Sequence, residues 1–394
     1  MRRVFGWSAL ALGIAAVGLF GIAPPRIESS LNHVTGPTPP PVDARVAALH
    51  STLVIADMHA DTLLWKRDVD APSTRGQVDL DRLERGHVAL QILSSVTKSP
   101  RGLNYDRNDD TSDNITLLAI AQGQPVRTWG SLLERSLWHA EKLRAAEART
   151  DCLRPIRTRS DLSRLLADRQ AGKHCGGRAT ALPTGVMLSI EGLHDLEGKY
   201  DNLDRLFAAG FRMASLTHFF DNQLAGSMHG VAKGGLTPFG LKVIRRMEAL
   251  GMAVDIAHAS HATVADVLRL AKRPIVSSHG GVQATCKVNR NLTDAEIVSV
   301  ARTGGLIGIG YWDAAVCDTS PQGIVRAIAH VRDLVGIDHV GLGSDFDGSV
   351  TTRFDTSRLD AITAALVAAG FSEADIAKVM GGNVVRLLGT MLPA

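Results

Sequence analysis

Aromatic residues make up only 5% of this 394-residue chain, and its charges nearly cancel: 43 Lys and Arg against 40 Asp and Glu, for a formal net charge of +3. The basic residues are scattered, with no stripe and no interleaved aromatics, which removes the usual signature of a nucleic-acid partner. The four cysteines, Cys152, Cys175, Cys286 and Cys317, form no Cys-x-x-Cys pair, so neither a dithiol redox motif nor a cysteine metal knuckle is present. No turn carries a convincing dinucleotide or phosphate fingerprint. No internal repeat or second-domain boundary divides the chain, and no large low-complexity tract interrupts it. What remains is a chain 45% hydrophobic with 38 glycines, able to bury a large core.

One long apolar run exists, at the start. Arg2 and Arg3 precede an uncharged stretch over residues 4–23, and about 20 apolar residues suffice to cross a bilayer. Residues 1–23 are therefore expected to be an export signal or an uncleaved N-terminal membrane anchor. No cysteine follows the run to take a lipid. Residues 24–50, including PTPPPV, read as a stiff Pro-rich linker, and residues 51–390 as the catalytic domain. Export to a periplasmic or extracellular space permits disulfides, and four cysteines in two pairs allow three connectivities.

Beyond the linker, short Val-, Ile- and Leu-rich runs recur without strict polar alternation, as strands buried on both faces do. There are eight: TLVIADMH, HVALQILSSV, GVMLSIEG, FRMASLTH, GMAVDIAH, PIVSSH, GLIGIGY and HVGLGSDF. Helical patterns lie between them. In NLTDAEIVSVARTGG, Thr293 stands three residues before Glu296 in capping-box spacing and Gly304 supplies a stop. Eight strands alternating with helices predict a (β/α)₈ TIM barrel. The long interval between the second and third runs predicts a helical insertion after strand two, placed to overhang the barrel mouth.

The strand ends carry the chemistry. The first ends in His59 and Asp61, the third in Glu191, the fourth in His218, the fifth in His258, the sixth in His279 and the eighth in Asp345. In a barrel these C-terminal ends converge on one face. Imidazole and carboxylate together suit zinc or another borderline divalent ion. His59, Asp61 and Glu191 are expected to hold one metal, and Glu191, His258 and His279 a second, with Glu191 bridging. Two metals roughly 3.5–4 Å apart would turn a shared water into hydroxide for attack on a polarised carbonyl. Asp345 could then shuttle the proton to a leaving amine, and His218 could donate to the developing oxyanion. Arg290, beyond strand six, suits a bidentate grip on a substrate carboxylate.

At these residues the chain resembles the membrane dipeptidase family, over roughly residues 53–388. HAD falls on the family's His-x-Asp, SIEG on its bridging glutamate, and DIAHAS and VSSHG on the second zinc's histidines. SLTHFFDN, RNLTD and GSDFDG match its substrate histidine, carboxylate-binding arginine and acidic residue, here His218, Arg290 and Asp345. The resemblance implies two Zn²⁺ per chain, hydrolysis of dipeptides including those with a C-terminal D-residue, and a homodimer. It also implies a Cys286–Cys317 disulfide, with Cys152 and Cys175 forming a separate local bridge. A related amidohydrolase acting on N-acyl D-amino acids would use the same ligands and is the alternative. Met58, Gly280, Phe219 and Phe220 depart from the family pattern and are expected to reshape the pocket.

Overall fold

In a computed structural model describing residues 17–394, all eight apolar runs are strands. They are β1 (Ile55–Ala60), β2 (Val88–Val96), β3 (Thr184–Glu191), β4 (Phe211–Ser215), β5 (Ala253–Asp255), β6 (Val276–Ser277), β7 (Leu306–Ile309) and β8 (Val340–Leu342). Each pairs in parallel with the next, and β8 returns to β1 through Leu342 opposite Asp57, which closes the barrel. Every residue of these strands is buried, which explains why their sequences lack polar alternation.

The helices follow the patterns in the sequence. Thr293 and Glu296 form a reciprocal capping box on the helix Asp294–Arg302, satisfying backbone N–H groups that the first turn leaves open. The insertion after β2 contains the helices Ile115–Ala121 and Leu132–Arg149. A short strand, Leu153–Pro155, also pairs with β3, an element too brief for periodicity to reveal. Inside the barrel floor, Ala56, Met58, Met187 and Met213 pack against Val384 and Leu387 of the C-terminal helix Asn383–Met391. Met58 therefore fills the floor and does not line the pocket. Gly308 makes room for it, since a Cβ there would meet the Met58 Cε at 2.7 Å.

The Pro-rich residues 24–50 pack against the barrel. They contain the helices Ala23–Leu31 and Ala44–Thr52, and His33–Val34 pairs in parallel with Thr351–Thr352. Arg358 donates to the carbonyls of Pro39 and Pro40, fixing the proline run to the barrel wall. The physical reason is burial: Glu28, 1% exposed, pairs with Arg67 and Arg75, so the segment carries contacts that composition alone hides. The four cysteines form Cys152–Cys175 and Cys286–Cys317. Most of the expected leader, residues 1–16, lies outside the described residues. Among those described, no helix is long and apolar enough to cross a membrane.

Candidate metal centre

The strand ends meet as barrel geometry requires. Glu191, at the end of β3, lies at the centre: its Oε2 is 3.6 Å from His59 Nε2, and its Oε1 is 2.7 Å from His258 Nε2 and 3.2 Å from His279 Nε2. His59 Nε2 is also 3.4 Å from Asp61 Oδ1 and 3.8 Å from Asp345 Oδ1. His218 Nε2 comes within 3.6 Å of Glu191 Oε1. All six of these partners are buried.

This donor set fits divalent cations. His59, Asp61 and Glu191 form one compact ligand group, and Glu191, His258 and His279 a second, so the two overlap at Glu191. His59 Nε2, Asp61 Oδ1 and Glu191 Oε2 are buried without a hydrogen-bond partner. Unpaired buried polar atoms cost free energy, and their convergence calls for a cation. The Nε2 atoms of His258 and His279, 3.0 Å apart, converge with Glu191 Oε1 to form the second group. Burial, helped by the Arg290 charge, holds both histidines well below their usual range and thus neutral, the form that ligates. Burial pushes Asp61 up to about 7 and Asp345 well above the carboxylate range, with neighbouring carboxylates adding to both shifts.

A layer behind the ligands fixes their aim. Asp255 accepts from Ser278 Oγ at 2.5 Å, and that hydroxyl lies 2.9 Å from His279 Nδ1. Asp57 accepts from the backbone N–H of His59 at 3.0 Å and of Ser344 at 3.1 Å, tying β1 to the loop after β8. Such partners orient ligands and set the ring tautomer. Neither was singled out from the sequence, although an aspartate inside a fully buried apolar run, as in IADMH and AVDIA, is the signal that marks both. His258, Asp345, Asp347 and Ser349 hold positive φ, between 61° and 64°. For L-residues each costs about 1–2 kcal/mol, so surrounding bonds must hold these loops.

Above the ligands is a cavity of about 210 Å³, whose wall includes Leu64, Val96, Leu103, Tyr105, Phe219 and Val350. That volume, below the roughly 300–1,000 Å³ of ordinary ligand pockets, restricts the site to small molecules. Leu103, Tyr105 and Ile115 come from the insertion, which does overhang the mouth. Phe219 lines it, whereas Phe220 is buried against the His194 ring. Arg290 reaches the cavity beside the histidines, donating to the His279 carbonyl at 3.2 Å, with its guanidinium 4.9 Å above the Trp312 ring. The Trp312 indole in turn donates to the Tyr105 hydroxyl at 3.1 Å. A larger groove of about 420 Å³, between residues 37–43 and Pro321, shares none of these residues. Chemistry rather than size selects the mouth.

Comparison with known proteins agrees with this geometry. Residues 43–392 match the family model described as membrane dipeptidase, peptidase family M19. The chain belongs to the membrane dipeptidase family. It is a metal-dependent dipeptidase with two overlapping ligand groups that share Glu191. Among curated members, dipeptidase aclJ of Aspergillus oryzae is 29% identical over 361 residues, covering 85% of this chain and 77% of that one. Dipeptidase verJ of Clonostachys rogersoniana is 28% identical, covering 79% and 75%. The probable dipeptidase PvdM of Pseudomonas aeruginosa shares the fold with a TM-score of 0.72 at 22% identity, covering 88% of this chain and 98% of its own. A Rhodobacter sphaeroides metallopeptidase, solved with a phosphinate mimic of L-Ala-D-Ala, has a TM-score of 0.67 at 21% identity, covering 86% and 99%.

Proposed function

We propose that this dipeptidase cleaves free dipeptides, including those with a C-terminal D-residue, with two zinc ions held by His59, Asp61 and Glu191 and by Glu191, His258 and His279. The observation that carries the reading is Glu191, whose two carboxylate oxygens face separate ligand sets across one small cavity. Cations bound there supply Lewis acidity for the scissile carbonyl and for the attacking water.

The chain's own groups supply the rest. Asp345 stands beside His59, 3.8 Å from its Nε2, and as a carboxylate beside bound cations it would take the water's proton and deliver it to the leaving amine. His218 reaches the cavity from beyond β4. Its Nδ1 makes only a long 3.4 Å contact with the Lys98 carbonyl, so the tautomer that carries the proton on Nε2, and can donate it to the oxyanion, gives up little. Arg290 presents guanidinium donors toward the cavity and would grip the substrate's terminal carboxylate, which limits the enzyme to short peptides. Tolerance of a D-residue has its support in the Rhodobacter sphaeroides relative, which binds a mimic of L-Ala-D-Ala.

Export rests on the apolar run at residues 4–23, and a homodimer on the family resemblance. The test of the activity is a panel of L,L and L,D dipeptides, their C-terminal amides and N-acyl D-amino acids. The highest kcat/KM is expected on a free dipeptide; preference for the acylated substrates would instead establish the amidohydrolase reading.

A further inference from the structure

The loop after β8 carries Asp345 on a strained backbone. Asp345, Asp347 and Ser349 alternate through left-handed backbone conformations, and Gly348, Ser349 and Val350 form part of the cavity wall. Asp347 turns away from the cavity. It accepts from the Gln77 N–H at 2.6 Å and from Thr62 Oγ1 at 2.7 Å, and it pairs with Arg67.

Two side chains ahead of the family domain, which begins at residue 43, help to hold this loop. Asn32 Oδ1 accepts the backbone N–H of Ser349 at 2.8 Å. Glu28 pairs with Arg67, whose guanidinium thus joins two buried carboxylates, Glu28 and Asp347. The backbone continues the attachment: His33 N–H donates to the Val350 carbonyl at 3.2 Å, and Thr35 N–H to that of Thr352 at 2.9 Å. Gln77 completes it, with its amide nitrogen 3.2 Å from the His33 carbonyl and 3.0 Å from Thr352 Oγ1, while its oxygen accepts from the Asp347 N–H.

We propose that residues 23–36 are a working part of the active site, a brace that sets the loop carrying Asp345, with Asn32 and Glu28 as its positioning residues. Asn32 acts on the Ser349 amide directly. Glu28 acts on Asp347 through Arg67, two residues from Asp345. Neither touches the cavity; each determines where the loop presents its carboxylate and wall. A mature enzyme trimmed into this segment would keep every metal ligand and lose the brace. The inference rests on the dipeptidase reading for its kinetic consequence but not for its structural one.

The test uses the full chain with Asn32→Ala, Asn32→Asp and Glu28→Gln, read by dipeptide kinetics, metal content and backbone hydrogen exchange over residues 344–352. Asn32→Asp keeps the acceptor for Ser349, and the Asn32 Nδ2 that it removes has no partner. Asn32→Ala is expected to speed exchange in the loop about tenfold or more, while β3 and β5 keep wild-type protection. Its kcat should fall about tenfold with KM nearly unchanged, because misplacement of a reacting group lowers rate more than binding. Metal content should stay at the wild-type value, and Asn32→Asp should restore both exchange and kcat. Glu28→Gln should act in the same direction. Wild-type loop exchange and kcat in both Asn32→Ala and Glu28→Gln would overturn the brace. A wild-type protein inactive on dipeptides would overturn the functional reading alone, since the exchange measurement would still decide the brace.

Discussion

Replacing Arg290 by alanine separates substrate recognition from metal binding more cleanly than any other change in the site. Arg290 is 8% exposed and held by the His279 carbonyl, by the Trp312 ring and by His258 Nε2, 3.2 Å from its Nη2. A guanidinium has five N–H donors in a rigid fork, so a second pair remains for a carboxylate. Hydrogen bonds to charged groups contribute about 1.5–3 kcal/mol each, so a bidentate grip is worth about 3–6 kcal/mol. At about 1.4 kcal/mol per factor of ten, kcat/KM for a free dipeptide should fall by roughly 10²–10⁴. The C-terminal amide of the same dipeptide cannot use that grip and should lose roughly tenfold or less. Arg290→Lys, which keeps charge but not the fork, should fall between. The assay is kcat/KM on the acid and amide pair for all three proteins, with metal content measured alongside. An unchanged acid-to-amide ratio in Arg290→Ala would refute the assignment. So would loss of metal from that variant, because it would make Arg290 part of the metal site.

Glu191→Ala removes the oxygens common to both ligand groups, so metal content measured by elemental analysis should drop together with activity; retention of both ions would exclude the bridge. Burial lowers the pKa of His50 from 6.5 to about 4 and of His139 from 6.5 to about 3. Both are therefore neutral in the folded protein but become charged in the unfolded chain below pH 6.5, so their contribution is full above that pH and is lost on acidification toward the folded values. Denaturant unfolding should show about 2 kcal/mol lost per histidine between pH 8 and 5, and His139→Gln should flatten the profile; an unaltered slope would count against a neutral buried imidazole. Opening Cys286–Cys317, whose partners lie 31 residues apart, with serine at both positions should cost about 3–4 kcal/mol by loop entropy, checked by the same unfolding assay.

Much of the barrel was legible because burial on both faces leaves a simple mark, a short apolar run, and because those runs end in chemically conspicuous residues. His59, Glu191, His258 and His279 stand where a strand stops, and closure alone brings strand ends together. Less legible were contacts that depend on which way a side chain turns. Met58 lies beside His59 in sequence yet packs into the barrel floor, in a strand whose register shifts between Asp57 and Ala60. The support of Arg290 by Trp312 and Tyr105 joins residues more than 200 positions apart, and no local pattern encodes it. The segment at residues 24–50 reads as a stiff Pro-rich linker, and its composition gives no sign that one buried carboxylate, Glu28, fastens it to the barrel.

The most direct test of the two-metal account is a titration of metal into chelated protein, following hydrolysis of a free dipeptide and bound metal on the same sample. Activity should disappear with the metal and return as zinc is added, reaching its plateau at two ions per chain, one for each ligand group. Undiminished hydrolysis by the metal-free protein, or full recovery at a single ion per chain, would contradict it.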